Sequence, residues 1–285
     1  KAAFRSGYVA STQWDASNIG DYSIAMGNGT IASGSSSVSL GGGTTASGSG
    51  SISLGVLTVA SGDYSVALGD GTEASAIRSV AIGGYTEASG ISAIAIGNAT
   101  KAIGSWTTAM GYYSEATGRY AIAFGNYALA KSGYEMVIGR YNTDYTPTDA
   151  LGWDNSDRLF VVGNGTSSSA RSNALTITKD GKMNINDAYD MPTADGTANY
   201  VMSTDGSGTV SFVDANSLVT PAAFTTSAGV TSNAPGIYAT DDFVFGSPQL
   251  DNNGNLDNRR RLFFDKSKAA FRSGYVASTQ WDASN

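Results

Sequence analysis

Residues 65–75 read S-V-A-L-G-D-G-T-E-A-S and residues 79–89 read S-V-A-I-G-G-Y-T-E-A-S. The frame they share runs outward in both directions, from Ile19 to Gly139. Glycine stands at 27, 41, 55, 69, 83, 97, 111, 125 and 139, every fourteenth position without a gap. A second series, Gly20, Gly34, Gly48, Gly62, Gly90, Gly104 and Gly118, lies seven residues out of phase and is broken only by Ala76 and Ser132. Ala32, Ala46, Ala60, Ala74, Ala88, Ala102, Ala116 and Ala130 keep the same period, as do Thr30, Thr44, Thr58, Thr72, Thr86, Thr100 and Ser114. Such columns are ranks of stacked side chains in a repeat architecture.

Each glycine of the first series follows a large apolar residue, Met26, Leu40, Leu54, Leu68, Ile82, Ile96, Met110, Phe124 or Ile138. Two places earlier stands another, such as Ile24, Val38 or Val66, with a small residue between them. This alternation of period two is a strand signal. A helical solenoid is disfavoured, because a glycine every seven residues would cost about 1 kcal/mol each in helix interiors. The spacing therefore predicts an all-β fibre, a parallel β-roll or β-solenoid of 14-residue coils over 19–140. Ile24, Leu40, Leu68, Ile82, Ile96 and Phe124 are the expected core, and the first glycine series is expected at turns. At about 4.8 Å per rung the nine coils make a rod section of roughly 40 Å. A coil this thin encloses little apolar volume, so neighbouring chains are expected to complete the core.

The columns, exemplified by Ser65 to Ser75, resemble the head repeats of YadA-like trimeric autotransporter adhesins. That resemblance implies a left-handed parallel β-roll, three chains side by side, and a place on a bacterial surface fibre that binds host or environmental ligands. Collagen-binding heads of this family carry Asn before the Ser-Val-Ala-Ile-Gly stretch. The corresponding positions here hold Tyr22, Ser36, Gly50, Tyr64, Arg78, Ser92, Trp106 and Tyr120, so collagen is not carried over.

Residues 1–18 recur without a change at 268–285. A tandem array explains this, with one unit ending at Ser267 and the next beginning at Lys268. All five prolines lie after the roll, whereas 23 of the 36 glycines lie within 19–139, so a boundary is expected near Arg140. The expected organisation is a β connector at 1–18, the roll at 19–140, a β-rich connector at 141–190, a β-hairpin module at 191–267 and the start of the next unit at 268–285. Hairpins are expected around Lys179-Asp180-Gly181-Lys182 and around Asp205-Gly206-Ser207-Gly208. Further strands are expected at Arg158 to Gly163, Asp242 to Phe245, Leu262 to Asp265 and Ala269 to Arg272.

Composition narrows the function. The chain of 285 residues has no Cys and no His, which removes thiolate nucleophiles, disulfides, the commonest general base and most zinc sites. Its net charge is −7, opposite to what nucleic acid or an anionic membrane would attract. No apolar run is long enough to span a bilayer, and neither membrane insertion nor a signal peptide is expected in this segment. The protein is not expected to be an enzyme.

Candidate ligand-binding residues are Tyr22, Tyr64, Trp106 and Tyr120, which precede the strands and should point outward, where flat rings suit sugar or protein contact. Asp251, Asn253, Asn255 and Asp257 offer oxygens at alternate positions, as calcium prefers, and the same stretch also reads as a polar hairpin turn. Arg259-Arg260-Arg261 reads as a solvated or salt-bridging run. No cofactor beyond that calcium is expected. The combined expectation is an adhesive repeat unit of a long extracellular filament, outer membrane-anchored or secreted. Its partners are further copies of itself, as a homotrimer or a higher cyclic oligomer, and a cell-surface protein or glycan receptor. A phage-type receptor-binding tail fibre is the alternative.

Overall fold

The computed structural model describes residues 1–218 and the strands Thr225–Ser227, Val230–Ser232, Phe243–Gly246, Arg260–Asp265 and Ala270–Tyr275. Asp251, Asn253, Asn255 and Asp257 lie outside the described residues, as does Arg259. The chain divides into two compact units, Lys1–Thr197 with Met202–Phe212, and Ala198–Val201 with Val213–Asn285.

The first unit is built on a parallel β-solenoid. Each coil contributes a long strand, from Ile24–Asn28 to Met136–Arg140, and all but the last add a two-residue strand, from Ile31–Ala32 to Leu129–Ala130. The long strands belong to a 14-stranded sheet and the short ones form an 8-stranded sheet. Successive coils pair in parallel and in strict register, so that Ala81 lies beside Ala95 and Gly83 beside Gly97. Identical residues stack because the period of the sequence equals the length of the coil.

The long sheet runs past the 14-residue frame at both ends. Phe4–Tyr8 adds a parallel strand before the first coil, with Gly7 opposite Gly27. Arg158–Asn164 adds one after the last, with Gly163 opposite Gly139. Antiparallel strands Asn173–Thr178 and Met183–Ile185 follow, joined across the expected Asp180-Gly181 turn. Tyr200–Thr204 and Val210–Asp214 make the second expected hairpin. In the second unit, Phe243–Gly246, Arg260–Asp265 and Ala270–Tyr275 form a three-stranded antiparallel sheet.

Two expectations are corrected. The interior of the roll is lined by the small residues between the large ones. Ala25, Ser39, Ser53, Ala67, Ala81, Ala95, Ala109 and Ala123 are fully buried, facing the Ala32-to-Ala130 column. Ile24, Leu68 and Phe124 are instead exposed, and Leu40, Ile82 and Ile96 are half-buried. Two sheets joined by such short turns lie too close together to admit Leu or Phe, so the pleat turns those side chains outward.

The first glycine series also lies within the long strands, not at turns. Gly83, at φ +125°, sits inside Val80–Gly84, and a Cβ there would lie 1.8 Å from the carbonyl oxygen of Gly97. Glycine is required because backbone packs directly on backbone. The left-handed turn positions come three residues before and two residues after the pleat that carries the buried small residue and its glycine. Examples are Tyr64 at φ 59° and Tyr85 at φ 53°.

Candidate adhesive surface

The turn positions form two outward ranks, and their left-handed backbone aims successive side chains in parallel. In the first, Trp106 stacks on Tyr120 at 5.1 Å between ring centroids, and Tyr120 on Tyr134 at 4.9 Å. The Arg119 guanidinium lies 5.0 Å from the Trp106 ring and 4.9 Å from that of Tyr120. In the second rank, Tyr113, Tyr127 and Tyr141 stack at 4.9 and 4.8 Å. These spacings equal the strand separation, so parallel stacking imposes the ring spacing. A non-glycine residue in this conformation costs about 1–2 kcal/mol. Ring stacking at about 0.5–1.5 kcal/mol per pair offsets it.

The four residues singled out in the sequence therefore separate into two kinds. Trp106 and Tyr120 belong to one ladder and spend their ring faces on each other. Tyr22 and Tyr64 stack on no ring among the described residues, because Ser36, Gly50 and Arg78 occupy the neighbouring positions of their rank. Both are exposed, Tyr22 at 74%. The Tyr64 ring lies over Gly50, where an added Cβ would approach it to 3.0 Å.

A second surface is the outer face of the long sheet. Ile24, Met26, Leu68, Ile94, Ile122, Phe124 and Met136 are exposed there, Phe124 at 53%. Alternate positions of every long strand contribute to it, so it forms a continuous apolar stripe along the rod. On the short sheet Lys101 stands between Glu87 and Glu115 and relieves the repulsion of that acidic column, its Nζ lying 3.5 Å from Glu87.

The ends of the roll are capped by residues that the sequence reading did not single out. Along the short sheet each coil donates its N–H groups to carbonyls of the next, as Glu115 and Thr117 donate to Ala128 and Ala130. The last coil has no successor. Asn142 Oδ1 accepts from the Leu129 N–H at 2.8 Å, and Glu135 Oε2 accepts from Lys131 and Ser132 at 2.7 and 2.9 Å. At the other end Arg5, in register with Ala25, donates from Nη2 to Ser23 Oγ and to the Ala32 carbonyl at 2.8 and 3.0 Å. A donor caps the acceptor end and acceptors cap the donor end. Glu135 is fully buried, and burial pushes its carboxyl above the usual range, against the opposing pull of the two N–H groups and of Arg158 and Lys179. The signal was in the columns: Glu135 continues the Ser23, Ser37, Ser51 rank and Asn142 continues the Thr rank.

The YadA head domain repeat (2 copies) matches residues 19–44, 32–58, 46–72, 60–86, 74–100 and 102–128. These residues form a YadA-like head. Its repeats are those of an adhesin, and the head is a trimeric autotransporter-like fibre module built from tandem β-roll coils. Heads of this kind have structural and adhesive roles and associate as homotrimers. They are non-enzymatic kinds of protein. No curated protein matches the chain. Among the described residues, no helix is long and apolar enough to cross a membrane.

Proposed function

We propose that the chain is one structural and adhesive unit of a long extracellular filament. Identical chains pack side by side along the roll, and the filament attaches to host, prey or other surfaces through a protein or glycan receptor. The observation that carries this reading is the apolar outer face of the long sheet, centred on Leu68, Ile94 and Phe124. Burying one such side chain is worth about 1.5–3 kcal/mol, and the face repeats at every coil, so three rolls closing on it gain a core that one roll lacks. Exposed Tyr22 and Tyr64 supply contact points. Repetition of residues 1–18 at 268–285 supports many units per filament, so weak contacts add as avidity. The family of the head favours a cell-surface location anchored at an outer membrane.

Sedimentation velocity with circular dichroism tests the assembly. The chain is expected to be a folded trimer at micromolar concentration, and Phe124→Asp is expected to yield unfolded monomer. A stable folded monomer would overturn the reading. For adhesion, assembled filaments are compared with a Tyr22→Ser, Tyr64→Ser form on cells and glycan surfaces. Reduced retention of an otherwise folded variant is the expected result.

A further inference from the structure

The stretch F-R-S-G-Y occurs twice and is a strand both times, with different neighbours. Phe4–Tyr8 lies parallel to Ile24–Asn28 and is the outermost strand of its sheet. Ala270–Tyr275, whose last five residues are the same, lies antiparallel to Arg260–Asp265, with Phe271 opposite Phe264 and Gly274 opposite Arg261. It too is outermost in its sheet. Among the described residues each occurrence thus has one paired edge and one open edge, and the two pairings differ in direction.

We propose that, where copies follow one another, a single F-R-S-G-Y strand makes both pairings at once. The open edge of Phe4–Tyr8 is then an interaction surface whose partner is Arg260–Asp265 of the preceding copy. An open edge on a long, regular sheet is a template for further strands, and covering it is the usual remedy. The shared strand also makes a definite demand on the two edges. In a parallel strand alternate residues direct their N–H and C=O groups to opposite edges. The Phe4 N–H donates to Ser23 at 2.9 Å and the Tyr8 carbonyl accepts from Gly29 at 2.8 Å. Phe4, Ser6 and Tyr8 therefore face the roll, leaving Arg5 and Gly7 for the other edge. Their equivalents are Arg272 and Gly274, opposite Phe263 and Arg261, and these are the pairs that must carry the antiparallel bonds. The end of one unit would thereby start the next roll, fixing its rotational register and stiffening the joint.

This inference rests on the tandem reading above and not on any receptor. The test is residue-resolved amide hydrogen exchange on a chain of two joined copies, residues 1–267 followed by residues 1–285. That chain holds the strand three times: first with only a following roll, then with both neighbours, then with only a preceding hairpin. In the middle strand all five amides are expected to exchange at least about tenfold more slowly than in unpaired chain. In the first strand only the Phe, Ser and Tyr amides should be slowed, and in the last only those of Arg and Gly. A middle strand slowed at one alternate set alone would overturn the shared strand while leaving the tandem reading intact. A native protein whose intact mass holds a single copy would overturn both.

Discussion

Ser39 Oγ lies 2.7 Å from Thr44 Oγ1 across the interior of the second coil, and it also donates to the Thr44 carbonyl at 3.0 Å. Ser53 and Thr58 repeat the pair one coil later. Where the facing residue is alanine, at Ala25, Ala67, Ala81 and Ala95, the partner hydroxyls of Thr30, Thr72, Thr86 and Thr100 are buried without a hydrogen bond. The roll thus contains satisfied and unsatisfied versions of one site.

Ala67→Ser and Ala81→Ser are therefore expected to stabilise the assembled protein by about 0.5–1.5 kcal/mol each. Serine already fits this rank at 39 and 53, so overpacking is avoided. Thermal unfolding at fixed protein concentration measures the effect, and an unchanged or lowered midpoint would refute it. Ser39→Ala should lower the midpoint by a similar amount.

Substitution of glycine is expected to depend on which rank is touched. A Cβ at Gly97 would lie 1.9 Å from the Gly111 carbonyl oxygen, with φ at +133°, so Gly97→Val should abolish folding of the roll. Gly29 has φ +66° and open space, so Gly29→Ala should cost only about 1 kcal/mol. Limited proteolysis of the two variants separates the outcomes. Thr86→Ser, which keeps the hydroxyl and removes a methyl, should stay folded like the parent.

Glu135 predicts a pH dependence. Its carboxyl binds protons more tightly in the folded state than in the unfolded chain. Its contribution to stability is then full below the ordinary carboxylate range and is lost as pH rises through the raised folded value. Glu135→Gln keeps an acceptor for Lys131 and Ser132 without a charge, and is expected to flatten the fall of the unfolding midpoint that the parent shows as pH rises above the ordinary carboxylate range. Glu135→Ala, which strands both N–H groups, should cost about 1–3 kcal/mol per group at any pH. Identical pH profiles for parent and Glu135→Gln would rule the effect out.

Stability and binding are expected to divide between the rings. Tyr127 stacks on Tyr113 and Tyr141, so Tyr127→Ala should lose about 0.5–1.5 kcal/mol per stack. Tyr22→Ser should leave the unfolding midpoint within about 0.5 kcal/mol of the parent. A large loss at Tyr22 would mean that it packs against a neighbouring chain and is not free for ligand.

The sequence by itself determined the coil length, the parallel direction and the in-register stack. Backbone contact between coils excludes every side chain, which leaves glycine at Gly27 to Gly139 as a record of each rung. It also placed the hairpins at Asp180-Gly181 and Asp205-Gly206, where turn chemistry is local. Which face of the strand turns inward was not legible, since large-small-large alternation suits either choice. Only the distance between the two sheets decided it, admitting Ala and Ser and turning Leu68 and Phe124 outward. The period already put Trp106 and Tyr120 next to each other in one column and Tyr22 next to Ser36; only the tertiary structure showed that this column lies on left-handed turns that hold its rings face to face. Stacking depends on what occupies the same turn one coil away, and only the fold brings residues fourteen apart within 5 Å of each other.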